Sequence, residues 1–287
     1  MPKARNPMSS LRRTADAMNR GNCGAPRQPD CVADDWGLSP GVNEGILDLC
    51  EAGVVGGVSL LATEPHVESG LDRLLRRKDL RLSLHLNLTH GPPLSRPHEV
   101  PSLCGRDGLF ASLPTLARRA VSGRLSAAEA AMETRRQVRR LKALGATPTG
   151  IEGHHHVHLF PRVFSAAAAI MKEEGISWVR VPVDASHRPS ALAGAVFRAW
   201  LRLAAPPAAR DFQLAPTLYL NAEDTRSPGA MDRKLLNAGG LPVIIHPARR
   251  NDLPAMDHPD ALQSERVAEF RALLEWSRRL QGGIARA

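Results

Sequence analysis

Aromatic side chains are scarce in this sequence. They make up 4% of the 287 residues, and only one of them is a tyrosine. Proteins that bind single-stranded nucleic acids stack the bases on aromatic rings, so this scarcity argues against a nucleic-acid partner. The four cysteines form neither a CxxC pair nor a zinc-finger spacing. Their arrangement excludes a zinc ribbon and favours free or buried thiols in a reducing compartment.

Long apolar runs are also missing. No window approaches the roughly 18 uncharged apolar residues of a membrane span, so we expect no integral membrane segment. Residues 1–30 carry several basic side chains but no apolar core, which is not the pattern of a secretory signal. We therefore expect a disordered leader over 1–30, one domain over 31–287 and a cytoplasmic location.

Lysine is rare among the basic residues. The formal net charge is +9, and 33 of the 38 basic residues are arginines. Many of these arginines occur in adjacent pairs, such as Arg118-Arg119 and Arg135-Arg136, scattered over predicted helices and turns. Charges spread in this way are typical of solvated helix faces rather than of one polyanion-binding patch.

Short apolar segments alternate with amphipathic stretches along the chain, which predicts a parallel sheet with helices between its strands. The predicted strands lie at 31–33, 54–61, 81–88, 149–152, 176–181, 217–220 and 241–245. The predicted helices lie near 40–52, 66–77, 126–144, 161–174, 190–204 and in a final segment around 267–274. Reactive side chains that gather at the carboxyl ends of strands are typical of barrel enzymes. We therefore prefer a single distorted (β/α) barrel, TIM-like and with eight strands or fewer, over a doubly wound sheet.

Four of the eleven histidines lie within the five positions 154–158, directly after a predicted strand. Such a run can be a tag or an unstructured chelating tract, but this one is internal and interrupted by Val157. Histidine is the commonest metal ligand. Asp34-Asp35, His85 and His246 also fall at or near predicted strand ends.

The third predicted strand supports this placement. Its leucines alternate strictly with Ser83, His85 and Asn87. In a barrel one strand face meets the helices and the other meets the interior, so His85 should point inward. An exposed edge strand would show the same alternation.

These residues suggest metal-assisted hydrolysis of an amide or ester. Asp35, His85 and His154 would offer one oxygen and two nitrogens to a divalent cation, either Zn²⁺ or Mg²⁺, and leave positions open. Asp34 could act as general base and His246 as general acid. Taken alone, Asp34-Asp35 could instead be a helix-capping turn, and His246 could be a buried histidine before a turn.

Four motifs together resemble the YdjC-like carbohydrate deacetylases. In order and spacing they are Asp34-Asp35-Trp36-Gly37-Leu38-Ser39, Leu84-His85-Leu86-Asn87-Leu88-Thr89, His154-His155-His156-Val157-His158 and His246-Pro247. The resemblance runs from about Cys31 to the final helix. It implies a distorted (β/α) barrel that removes acetyl from an N-acetylated sugar, a linear amide, with Asp34 as base, His246 as acid and Asp35, His85 and His154 as metal ligands. Family members are often dimers, so it also implies a homodimer.

The chain departs from the family pattern in three places. Residues 27–30 replace a hydrophobic lead-in, so the first strand is expected to be truncated. Trp36 stands where phenylalanine is common, and Glu152-Gly153 replaces Asp-Ser before the histidines. A truncated first strand leaves open a non-catalytic metal- or sugar-binding protein of the same fold. A second alternative rests on the basic surface, which would suit a lipid-facing enzyme: a deacetylase for an acetylated amino-sugar head group of a hopanoid lipid, on which a related branch of the family acts.

Overall fold

The computed structural model describes residues 30–182, 211–253 and 262–284. All of the expected leader except Asp30, and the helix expected near 190–204, lie outside these ranges. Seven parallel strands close into a barrel in the order of the chain. They are β1 (Cys31–Trp36), β2 (Val55–Leu60), β3 (Arg81–Leu86), β4 (Gly150–Gly153), β5 (Trp178–Pro182), β6 (Gln213–Tyr219) and β7 (Val243–Ile245). The predicted (β/α) barrel with parallel strands is confirmed.

Helices connect the strands and cover the barrel. Over the described residues they are α1 (Pro40–Glu51), α2 (Leu71–Arg76), α3 (Leu113–Val121), α4 (Ala127–Ala143), α5 (Pro161–Glu174), α6 (Ala222–Arg226), α7 (Pro228–Leu236) and α8 (Arg266–Ile284). The predicted start of α1 is confirmed, because the Ser39 side chain accepts a hydrogen bond from the Val42 N–H and Pro40 occupies the first turn.

Strand β1 is not truncated. Its six residues are all buried, and it pairs with β2 on one side and β7 on the other. The expectation of a truncated first strand is wrong, because β1 extends beyond the apolar residues 31–33 and its pairing with β2 resumes at Trp36 after a register shift. Pairing with β2 and β7 on its two sides provides hydrogen-bond partners for the backbone of β1 in place of an apolar lead-in.

Strand β3 lies between β2 and β4, so the alternative of an exposed edge strand is wrong. Leu84 and Leu86 belong to the buried apolar core. Ser83 and His85 instead contact polar residues of neighbouring strands. The predicted division of this strand into a leucine face and a polar interior face is confirmed.

The long connection after β3 is fastened to helix α4. The buried Glu133 carboxylate accepts hydrogen bonds from the backbone N–H groups of Leu94 and Ser95. Ser126 caps α4 by accepting from the Glu129 N–H, and the Glu129 carboxylate accepts from the Ser102 N–H. This segment is therefore anchored by two carboxylates on α4.

The arginine pairs of α4 lie on the surface and form ion pairs with acidic side chains. Arg135 contacts Glu173, and Arg136 contacts Glu99. This agrees with the prediction of a solvated face. Within the described ranges, no helix combines the length and the apolar character needed to cross a membrane.

Candidate metal centre

The first strand brings two consecutive carboxylates into the barrel. Successive residues of a regular strand point to opposite faces, but the register of β1 against β2 shifts between Ala33 and Trp36. Asp35 takes a left-handed backbone conformation, with φ of 69°, which is uncommon for a residue other than glycine. This irregularity lets Asp34 and Asp35 both reach the interior, where each is 2% exposed.

Asp35 faces two histidines. Its Oδ1 atom lies 3.2 Å from Nε2 of His85 and 3.2 Å from Nδ1 of His154. His85 is oriented from behind by Ser59, whose Oγ lies 2.8 Å from Nδ1 of the ring. A partner on the remote ring nitrogen is what commonly fixes the orientation of a metal-binding histidine. The three side chains predicted as ligands are thus brought together.

The loop that carries His154 is unusually tight. His155 and His156 follow it with φ of 52° and 58°, and strained residues of this kind cluster at functional sites. The His155 ring packs on His154, with centroids 4.1 Å apart. Of the three candidate ligands, His154 has the most exposed side chain, at 15% against 4% for His85 and 2% for Asp35. The site therefore opens to solvent on the side of His154.

Asp34 is paired with an arginine that the sequence analysis did not identify. Nη1 of Arg180 lies 2.5 Å from Oδ2 of Asp34, and Nη2 lies 2.8 Å from Oδ1. The same guanidinium contacts Glu152, which in turn accepts from Ser83. All of these side chains are buried. One arginine thus pairs with two buried carboxylates at the base of the site.

His246, which follows β7, also faces Asp34. Its Nε2 atom is 3.8 Å from Oδ2 of Asp34, and its ring stacks on Tyr219 with centroids 6.3 Å apart. Its backbone N–H donates to the buried carboxylate of Glu269 on α8. The predicted acid is therefore next to the predicted base.

The pKa values of the two aspartates are shifted in opposite directions. Burial raises the pKa of Asp34, and Arg180 and His85 oppose that rise. Burial also acts to raise the pKa of Asp35, but Arg266 and the hydrogen bonds of His154 and His85 outweigh it and hold the pKa well below its usual range. Adjacent carboxylates with separated proton affinities are typical of sites where the two groups have different roles.

The donor set fits a divalent cation. Asp35, His85 and His154 offer ligand atoms that all lie within 4.8 Å of one another. A second group, Asp34, His85 and Glu152, meets the same distance criterion, but Asp34 and Glu152 already share the Arg180 guanidinium. A cation there would compete with a buried positive charge, so the first group is the better candidate.

The sequence did not predict three residues that contact the candidate site: Arg180, Arg266 and Glu269. Arg180 had a usable signal, since an arginine inside the apolar segment Trp178–Pro182 is rarely buried without a partner. Arg266 and Glu269 had none, because charged residues at the start of an amphipathic helix are ordinarily solvated. Glu152, noted only as a departure from a pattern, is part of the buried network.

The fold and the site define a (β/α) barrel with a carboxylate–histidine centre at the carboxyl ends of its strands. The chain belongs to the family described as YdjC-like protein, whose model matches residues 32–279. This confirms the resemblance drawn from the four motifs.

Two curated relatives share part of the chain. A protein named carbohydrate deacetylase from Danio rerio is 33% identical over 158 residues, which cover 55% of this chain and 50% of the relative. A protein named chitooligosaccharide deacetylase from Escherichia fergusonii is 34% identical over 163 residues, which cover 56% of this chain and 62% of the relative. The matched part thus spans between half and two thirds of these relatives.

A solved structure shares the fold over nearly the whole length. It is a protein from Enterococcus faecalis V583 described as a candidate cellobiose-phosphate cleavage protein. The TM-score is 0.68 at 20% identity, with 88% of this chain and 94% of that chain covered. At this identity the likeness concerns the fold alone.

Proposed function

We propose that this protein is a metal-dependent carbohydrate deacetylase, which removes the acetyl group from an N-acetylated sugar by hydrolysis of a linear amide bond. The observation that carries the proposal is the convergence of Asp35, His85 and His154 beside Asp34 and His246. The names of the two curated relatives support the substrate class.

In this proposal, Asp35, His85 and His154 hold the metal, either Zn²⁺ or Mg²⁺. A divalent cation bound there would polarise the amide carbonyl and acidify water. His154 is the least buried of the three, with a side chain that is 15% exposed, so the substrate would approach the metal from its side. Two histidines and one carboxylate with further positions open are typical of catalytic rather than structural sites.

Asp34 and His246 divide the proton transfers. The Asp34 carboxylate takes a proton from the attacking water as general base, and the His246 imidazole gives one to the departing amine as general acid. Arg180 holds both oxygens of Asp34, and so fixes the direction in which the base faces. Glu269 holds the backbone N–H of His246, and so fixes the position of the acid.

The non-catalytic alternative is no longer supported, because it depended on a truncated first strand, whereas β1 spans six residues that are all buried.

The hopanoid-lipid alternative depended on a basic surface. Several exposed arginines are paired with acidic side chains, which weakens that argument. An N-acetylated saccharide is therefore the preferred substrate. A cytoplasmic location and a homodimer remain predictions from the sequence.

The experiment measures metal content and acetate release together. Wild type, His154→Ala and the control His98→Ala are incubated with diacetylchitobiose and a panel of N-acetylated sugars that includes acetylated amino-sugar head groups. His98 is an exposed histidine in the long connection that follows β3. We expect wild type and His98→Ala to bind metal and release acetate, and His154→Ala to do neither.

Two results would contradict the proposal. Stoichiometric metal in His154→Ala would show that the ligand assignment is wrong. Metal in wild type without acetate from any member of the panel would show that the substrate class is wrong.

A further inference from the structure

Helix α8 begins with a buried charge. Arg266 is 1% exposed although it is the first residue of the last helix. Arginine is almost never fully buried without a partner. One of its partners lies on the first strand: Nη2 of Arg266 is 2.6 Å from Oδ2 of Asp35. Nη1 also lies 3.5 Å from the His246 carbonyl oxygen. A contact of this kind between the last helix and the first strand is not required for the barrel ladder, which β7 and β1 close by themselves.

The contact divides the two oxygens of Asp35 between different partners. Oδ2 faces Arg266, whereas Oδ1 faces the nitrogens of His85 and His154. With Oδ2 occupied, Asp35 offers a single oxygen on the side of the two imidazoles. The bridge also fixes the carboxylate rotamer of a residue whose backbone is in the left-handed region.

The same turn of the helix holds a second site residue. Glu269 lies three residues after Arg266, on the same face of the helix, and its carboxylate accepts from the His246 N–H. The first turn of α8 therefore contacts both the candidate ligand Asp35 and the candidate acid His246. Two such contacts from one turn are difficult to explain by packing alone, since an apolar turn would pack against the barrel at lower cost.

We propose that Arg266 is a positioning residue for the metal centre: it holds Asp35 so that one oxygen points at the two histidines, and so sets metal affinity. The inference rests on the proposed metal site. It makes helix α8 part of that site, although α8 supplies no ligand. A merely structural bridge would instead change the stability of the metal-free protein and leave the affinity for metal unchanged.

The test is the dissociation constant for Zn²⁺, measured by competition with a chromophoric chelator on the full-length chain. The variants are Arg266→Lys, which keeps the charge but loses the planar fork, and Arg266→Gln, which loses the charge. Arg271→Lys is the matched control, because Arg271 is exposed on the same helix. Circular dichroism melting of the metal-free proteins identifies any variant that does not fold. Only the folded variants are used to decide whether Arg266 sets the affinity for Zn²⁺.

Loss of a partner behind a metal ligand typically weakens metal affinity roughly 10- to 100-fold. We expect weakening in that range for Arg266→Gln, a smaller effect for Arg266→Lys and none for Arg271→Lys. Folded Arg266 variants that bind Zn²⁺ within about twofold of wild type would overturn this inference while leaving the proposed function intact. Wild type that binds no Zn²⁺ would overturn the proposed metal site and this inference with it. Because the readout is binding, a wrong choice of sugar does not affect it.

Discussion

Arg180 joins Asp34 to Glu152. Its guanidinium donates to both oxygens of Asp34, at 2.5 and 2.8 Å, and also contacts the Glu152 carboxylate. The three side chains come from β5, β1 and β4, and each is at most 2% exposed. Two carboxylates are thereby kept in the interior by one positive charge. This arrangement explains how a barrel can bury so much charge next to its candidate centre.

Removing that positive charge should be costly. Breaking a buried ion pair by deleting one partner typically destabilises a protein by about 3–5 kcal/mol, because an uncompensated charge stays buried. We expect Arg180→Met to lower the free energy of unfolding by an amount in this range. The measurement is urea unfolding of the metal-free protein at neutral pH, followed by circular dichroism.

A surface arginine provides the matched control. Arg139 pairs with Glu174, and its side chain is 67% exposed. Exposed pairs contribute about 0–1 kcal/mol, so Arg139→Met should unfold close to wild type. If the two methionine variants unfold at the same urea concentration, the buried pairing of Arg180 does not contribute as the geometry indicates.

A glycine before the histidine loop is required by close packing. A Cβ atom at Gly153 would lie 2.6 Å from Nδ1 of His158 and 3.0 Å from its backbone nitrogen. His158 is buried, and its Nε2 lies 3.0 Å from the Arg180 carbonyl oxygen, so it has little room to move. We expect Gly153→Ala to destabilise by about 1–3 kcal/mol, the usual cost of overpacking, and to weaken metal binding because His154 is the next residue.

Gly229→Ala separates this steric effect from glycine replacement in general. At Gly229, in helix α7, the nearest atom to an added Cβ is 3.5 Å away, which is an ordinary contact. Alanine is preferred over glycine in helices by up to about 1 kcal/mol, so the variant should be neutral or slightly stabilised. Equal thermal stability of Gly153→Ala and wild type would show that the loop can shift to accept a methyl group.

Most of the barrel could be predicted from sequence because apolar residues recur at different intervals in its strands and in its helices. The leucine alternation of Arg81–Leu86 and the capped start at Ser39 are local signals, and the structure agrees with both. Helix Leu113–Val121 was missed, since it follows a segment rich in proline and glycine. The register shift that turns Asp34 and Asp35 to the same interior depends on the pairing of β1 with β2, which no local pattern reports.

The candidate centre was predicted only in part for a related reason. Asp35 and His85 lie near the carboxyl ends of β1 and β3, and His154 directly follows β4. The convergence of parallel strand ends therefore places the three together. Arg266 reaches Asp35 across 231 positions of sequence, and nothing near it distinguishes it from the exposed arginines of the same helix. Residues that hold the ligands from behind are defined by tertiary contacts, which require the closed fold.

The last prediction concerns pH. Burial raises the pKa of Glu269 to about 8, although the His246 N–H and Arg266 act in the opposite direction. The reference value of this carboxyl group is 4.5, so between roughly pH 4.5 and pH 8 the folded protein retains a proton that the unfolded chain has released. The contribution of this group to stability is therefore fully present below about pH 4.5. It falls as pH rises toward 8, by up to about 1.4 kcal/mol per pH unit.

Glu269→Gln should remove this pH dependence, because glutamine does not titrate in this range and its side-chain oxygen can still accept from the His246 N–H. We expect the free energy of unfolding of wild type minus that of Glu269→Gln to decrease steadily from pH 5.5 to pH 8, measured by urea unfolding of the metal-free proteins. Glu275→Gln is the control on the same helix, where the Glu275 side chain is 72% exposed. A difference that is flat over this interval would mean that Glu269 is already ionised in the folded protein at pH 5.5. The His246 N–H and Arg266 would then together outweigh the effect of burial on the pKa of Glu269.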